Sequence, residues 1–104
     1  DSLASLLKAN PNLEVIVEGH TDNTQVVSGA AYRDNWDLSF RRADAVVRRL
    51  RKAGVEPGQL AAAARGEDVP KMDDQKSADA KAANRRVVFR IAPKMGDLFE
   101  AAGN

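Results

Sequence analysis

Glu18-Gly19-His20-Thr21-Asp22-Asn23 and, beyond a polar loop, Asn35-Trp36-Asp37-Leu38-Ser39-Phe40-Arg41-Arg42-Ala43 decide how this chain is read. Upstream of the first segment, Leu13, Val15 and Val17 alternate with Glu14, Ile16 and Glu18. A two-residue period rich in β-branched side chains predicts a strand with one buried face. In the second segment, Asp34 or Asn35 caps a helix that runs to about Ala53 and stops at Gly54. Its apolar stripe is Trp36, Ala43, Val46, Val47 and Leu50, with Phe40 on one edge, which assigns Trp36 and Phe40 to the core or its rim. Residues 23–34 read as a polar loop with a helical turn near Ala30–Tyr32. A loop of that length in a small domain is usually functional or mobile.

Working outward, Leu3, Leu6 and Leu7 follow helical spacing, and Asn10-Pro11-Asn12 ends that helix. Glu56-Pro57-Gly58 is a turn. Leu60–Ala64 is a strand candidate whose alanines equally favour helix. Arg65–Pro70 is a turn, and a helical stretch starts at Ser77. Arg85–Ala92 alternates Arg85, Val87, Phe89 and Ile91 against Arg86, Val88 and Arg90, a second good strand. Glu14 and Glu18 on one strand and Arg86 and Arg90 on another would pair if the strands are neighbours. Leu98-Phe99 is the one apolar pair of the tail. Alternating strands and helices imply an α+β or α/β fold, helices on one face of a small mixed sheet and the other face partly solvated.

At 104 residues and 43% hydrophobic composition the chain holds one domain with a modest core. The domain spans residues 1–92, with 93–104 as a tail. A net charge of +1 exerts no global pull on nucleic acid or membrane, so partner arguments must be local. One His and no Cys argue against a zinc site. No apolar run approaches the roughly 18–20 residues of a membrane span. No signal peptide is present, and with Asp1 at its head the chain reads as a processed or excised piece. The basic run Arg41, Arg42, Arg48, Arg49, Arg51 and Lys52 reads as a solvated helix face rather than a nucleic-acid stripe. His20 and Asp22 point the same way, but neither Ser28 nor Ser39 sits in a nucleophile elbow, so the chain does not read as an enzyme. His20 reads as a structural hydrogen-bonding residue at a strand end.

At about 100° per residue, Asn35, Ser39 and Arg42 form a polar edge beside the buried stripe. Asp22 sits at the end of the strand that should pack beneath that helix. Asp22 and Arg42 can form an ordinary ion pair. Held apart, they suit a zwitterion: Asp22 accepts from an ammonium, and Arg42 grips a carboxylate through its fork.

Val17-Glu18-Gly19-His20-Thr21-Asp22-Asn23, Asn35-Trp36-Asp37-Leu38-Ser39, Arg42-Ala43, Val47, Leu50, Gly54-Val55, Arg65-Gly66-Glu67, Pro70 and Asn84-Arg85-Arg86-Val87-Val88-Phe89 together resemble the OmpA/MotB C-terminal domain family over roughly residues 3–92. The resemblance implies an α+β fold with a β-α-β-α-β core and non-covalent binding of peptidoglycan in the cell envelope, without a cofactor or catalysis. The implied ligand is the diaminopimelate side chain of the stem peptide. Asp22 matches the family's ammonium-binding position and Arg42 its carboxylate-binding position. Asn35 and Leu38 match pocket-lining positions, and Thr21 and Arg86 match further motif positions. The family's strand before the first helix has no counterpart in this chain, so a sheet edge is expected to be unpaired, which allows a homodimer. The resemblance fits either a wall anchor of an outer-membrane protein or lipoprotein, or the wall-binding domain of a motor stator.

Overall fold

The alternation at Leu13–Glu18 builds the central strand of the molecule, and everything else packs around it. The structure, a computed structural model, describes residues 2–26, 31–71 and 76–94. Helix α1 (Ser2–Ala9) leads into strand β1 (Leu13–His20), then helix α2 (Asn35–Lys52) and a single 3-10 turn (Pro57–Gln59). Strand β2 (Leu60–Gly66), helix α3 (Ala78–Asn84) and strand β3 (Val87–Pro93) follow. β1 lies in the middle of a three-stranded mixed sheet, parallel to β2 on one side and antiparallel to β3 on the other. This is the expected α+β architecture. Ala30 and the Leu98-Phe99 pair lie outside the described residues, and Ala31 and Tyr32 form no helical turn.

The core lies between α1, α2 and the inner face of β1. Ala4, Leu7, Val15, Val17, Ala43, Leu50 and Val55 are buried together, with Leu3, Val46, Val47 and Val87 packed against them. α2 begins as its sequence dictates: Asp34 caps it by accepting from the Asp37 amide, and Gly54 leaves the helix end at φ 99°. The middle of the stripe is not apolar. Ser39 is fully buried there, and a Cβ on Gly19 of β1 would collide with the Ser39 carbonyl. Two small residues thus let helix and strand approach closely. The Ser39 hydroxyl donates to the Trp36 carbonyl at 2.9 Å and accepts from the Gly66 amide at 3.0 Å, tying α2 to the end of β2.

Several sequence expectations change in the structure. Ser39 lies under the helix, not on the polar edge with Asn35 and Arg42, because only a small side chain fits against Gly19. Trp36 and Phe40 are 46% and 45% exposed. Trp36 sits on the flank of α2 beside the end of β2, an edge strand beyond which no described strand extends the sheet. Trp36 lies over Gly66, whose φ is +58°, and its indole N–H donates to Asp68 at 3.0 Å. β2 runs through Arg65 and Gly66, two residues farther than its alanine-rich sequence suggested, because it follows β1 up to a bulge at Gly19/His20. β3 starts at Val87 rather than Arg85, since Arg85 closes the C-terminus of α3. Gln59 is a buried staple that no pattern announced: its amide contacts the carbonyls of Leu7, Asn10 and Leu13 at 2.8–3.0 Å.

Candidate functional site

β1 carries two carboxylates toward its C-terminal end, and they meet different surroundings. Glu18 lies on the face away from α2. Arg90 reaches it from the neighbouring β3, Nε to Oε2 at 2.9 Å and Nη2 to Oε1 at 3.2 Å, the cross-strand pairing expected from sequence. Arg65 adds a contact at 3.5 Å. His20 Nε2 lies 2.8 Å from Glu18 Oε1. An ionised carboxylate only accepts, so that ring nitrogen carries the proton. The Arg90 hydrogen bonds, outweighing burial with help from His20 and Arg65, pull the Glu18 carboxyl down to about 2. His20 is therefore a buried structural partner of Glu18, with its Nδ1 left without a partner among the described residues. Arg86 meets neither glutamate: Glu14 stands opposite Ala92, and the Arg86 guanidinium turns to the Val69 carbonyl.

Asp22 follows the strand and faces a cavity. It is 6% exposed, yet its carboxylate is well satisfied: Oδ1 accepts from the Thr24 amide at 2.8 Å and Oδ2 from Arg85 Nη1 at 2.5 Å. Burial alone would raise its carboxyl. The Thr24 amide, then Arg85 and the Thr24 side chain, outweigh that and hold it below the usual carboxylate range. Asn35, the first residue of α2, is buried and donates its side-chain amide to the carbonyls of Thr24 at 3.1 Å and Asp22 at 3.4 Å. It thereby fixes the loop after β1 against the helix start. Lys81 of α3 reaches the Thr24 hydroxyl at 2.9 Å and braces the same loop from the other side.

These elements enclose a cavity of about 370 Å³ lined by Thr21, Asp22, Thr24, Gln25, Val26, Tyr32, Asn35, Leu38, Arg42 and Arg85. Five of the six residues singled out from sequence, Thr21, Asp22, Asn35, Leu38 and Arg42, share this wall. The sixth, Arg86, does not line it. Its Nη2 donates to the Val69 carbonyl at 3.0 Å, and it borders an adjoining cleft with Arg42, Arg85 and Val87. Asp22 and Arg42 are not each other's ion-pair partners. Asp22 takes Arg85, and among the described residues the Arg42 guanidinium makes no ion pair or hydrogen bond. Thr21 lines the cavity, but its hydroxyl is turned to the Asp22 carbonyl at 2.9 Å.

Arg85 is the residue that sequence reasoning misplaced. The alternation of β3 put it on a strand face with Val87 and Phe89. The helix starts at Ser77 as the sequence suggests, Ser77 capping α3 through the Ala80 amide, but α3 runs to Asn84 and makes Arg85 its C-cap. The cavity thus offers one carboxylate and two guanidiniums, with Leu38 and Val26 as apolar wall. That arrangement suits a small ligand bearing an ammonium and a carboxylate at one end. Among the described residues no three His, Cys, Asp or Glu side chains come together to hold a metal ion.

The fold is that of a small α+β domain with a candidate binding pocket, and its relatives narrow the class. The profile of the OmpA family matches residues 1–85, and the chain belongs to that family. It is 41% identical over 86 residues to outer membrane porin F of Pseudomonas fluorescens, covering 83% of this chain and 24% of the porin. It is 38% identical over 89 residues to the peptidoglycan-associated lipoprotein of Pasteurella multocida, covering 86% of this chain and 55% of the lipoprotein. The crystal structure of a MotB-like protein from Desulfovibrio vulgaris superposes with a TM-score of 0.80 at 32% identity, over 89% of this chain and 59% of that one. The chain therefore spans about half or less of the curated relatives it matches.

Proposed function

We propose that this domain binds peptidoglycan non-covalently and anchors an envelope protein to the cell wall. The ligand end group is the free ammonium and carboxylate of diaminopimelate in the stem peptide. One observation carries this reading: Asp22 and an unpaired Arg42 face a common cavity of about 370 Å³ whose remaining wall includes Asn35 and Leu38. Asp22 accepts from the ammonium, and Arg42 takes the carboxylate through two parallel N–H donors. The kinship to a peptidoglycan-associated lipoprotein supports the wall as partner and the periplasmic side of the envelope as location, with attachment to the outer membrane through the parent protein. The chemistry is binding alone, with no cofactor and no bond made or broken.

Retention on insoluble wall material tests the ligand. The domain should sediment with diaminopimelate-type peptidoglycan and much less with lysine-type peptidoglycan, which lacks the end carboxylate. Equal retention on both contradicts the role of Arg42. With about two charged contacts, binding should weaken modestly with salt. A steep loss accompanied by DNA retention would point to a polyanion site instead.

The similarity to a MotB-like structure favours a second reading of the parent protein: the wall-binding domain of a flagellar-type motor stator. The pocket chemistry is the same in both cases. The full-length gene separates them, by a β-barrel or lipidation signal in one and a single membrane span bearing an acidic residue in the other.

A further inference from the structure

Arg85 occupies the place on Asp22 that the proposed function gives to the ligand's ammonium. Its Nη1 lies 2.5 Å from Asp22 Oδ2, while the other carboxylate oxygen is held by the Thr24 backbone. Asp22 is only 6% exposed, so an ammonium arriving from the cavity must compete with Arg85 for the oxygen that the Thr24 amide does not hold. Thr24 cannot yield without unmaking the loop. Arg85 can: its side chain is 44% exposed, and Asp22 is its only described side-chain partner.

Where the freed guanidinium would go is also visible. Beside the cavity lies a cleft of about 300 Å³ lined by Arg42, Arg85, Arg86 and Val87. Moving Arg85 toward it gathers three like charges, of which Arg42 has no described counterion. That crowding is unfavourable unless an anion arrives with the displacing ammonium.

We propose, on the basis of the peptidoglycan reading above, that Arg85 is a specificity-determining latch. In the empty pocket it neutralises Asp22. A zwitterionic end group displaces it, the ammonium taking over Asp22 and the carboxylate lying between Arg42 and the released Arg85. A diamine without the carboxylate must expel the same arginine and gives it no partner, so the latch rejects it. Discrimination comes from the competitor already in the site as well as from contacts to the correct ligand.

The test compares two soluble probes, meso-diaminopimelate and 1,5-diaminopentane, by isothermal titration calorimetry on the wild-type chain and on Arg85→Gln and Arg85→Lys. Circular dichroism verifies that each variant is folded. The wild type should prefer diaminopimelate. Arg85→Gln should bind the diamine about fivefold more tightly and diaminopimelate more weakly, lowering the preference about tenfold or more. Arg85→Lys keeps a charge on Asp22 and should restore most of the preference. If Arg85→Gln weakens both probes equally, or leaves their ratio unchanged, Arg85 is only a structural partner of Asp22 and the latch is wrong. If the wild type binds neither probe and does not sediment with peptidoglycan, the underlying reading fails and the latch falls with it. Wild-type binding with an unchanged ratio in Arg85→Gln removes the latch alone.

Discussion

Glu18 and Asp22 stand on the same short run of chain, both buried and both with a lowered carboxyl pKa, Glu18 chiefly through Arg90 and Asp22, against its burial, through the Thr24 amide and then Arg85, yet their surroundings differ. Glu18 is 3% exposed, receives Arg90, Arg65 and His20, and does not line the cavity that Asp22 faces. Asp22 is 6% exposed, and one of its two oxygens depends on a single half-exposed arginine beside an open pocket with a second, unpaired arginine. Burial and a lowered pKa do not tell the two apart, since structural ion-pair networks also perturb titration. The replaceable partner and the adjoining space do. Glu18 ties β1 to β3, and Asp22 is the one of the two for which a ligand role is proposed.

That contrast can be attacked at several points. Gly19 lies between the two carboxylates, and its Cα abuts the Ser39 carbonyl, so Gly19→Ala must push α2 away from β1. It should cost about 3 kcal/mol in urea unfolding and weaken wall binding as well, because both halves of the pocket shift. Glu18→Gln should cost roughly 1–3 kcal/mol by stranding its arginines and His20, while leaving wall retention intact wherever the variant is folded. A loss of retention without a loss of stability would reverse the roles assigned to the two residues.

Acid should expose the same difference. Glu18 has a folded pKa of about 2 against an ordinary 4.5, so its stabilisation is fully present above the ordinary value and is lost as pH falls from about 5 toward 2. Asp22, also lowered, loses its contribution in the same direction. Unfolding midpoints measured across that range should fall, and Glu18→Gln should flatten the fall more than Asp22→Asn does. Ser39→Ala, which orphans the buried Gly66 amide, should cost about 1 kcal/mol without touching ligand preference. At the small end, Arg48→Ala removes only an exposed pair with Asp44 one helical turn away and should leave the midpoint unmoved.

The parts of the molecule set by local rules were readable in advance. The β-branched alternation of Leu13–Glu18 gave the central strand, and Asp34 and Gly54 bracketed α2. Glu18 and Arg90 do meet across neighbouring strands. Five of six proposed site residues share one cavity, because a strand end and a helix edge bring them together whatever the loop between them does. What was not readable depends on tertiary packing. Nothing local says that Ser39 replaces an apolar residue in the stripe; that follows from Gly19 on another element. Trp36 and Phe40 look like core on a helical wheel and are half exposed, Trp36 beside the end of the edge strand β2. The pairing of Asp22 with Arg85 was unforeseen for the same reason: Arg85 reads as a strand residue in the sequence, and it reaches the carboxylate from the C-terminal end of α3.

The central claim is that Asp22 and Arg42 are ligand anchors while Glu18 is structural. Co-sedimentation of folded Asp22→Ala, Arg42→Ala and Glu18→Gln with insoluble diaminopimelate-type peptidoglycan tests it most directly. The expected result is that the first two variants stay in the supernatant and the third pellets like the wild type. Pelleting of both Asp22→Ala and Arg42→Ala at wild-type levels would contradict the account.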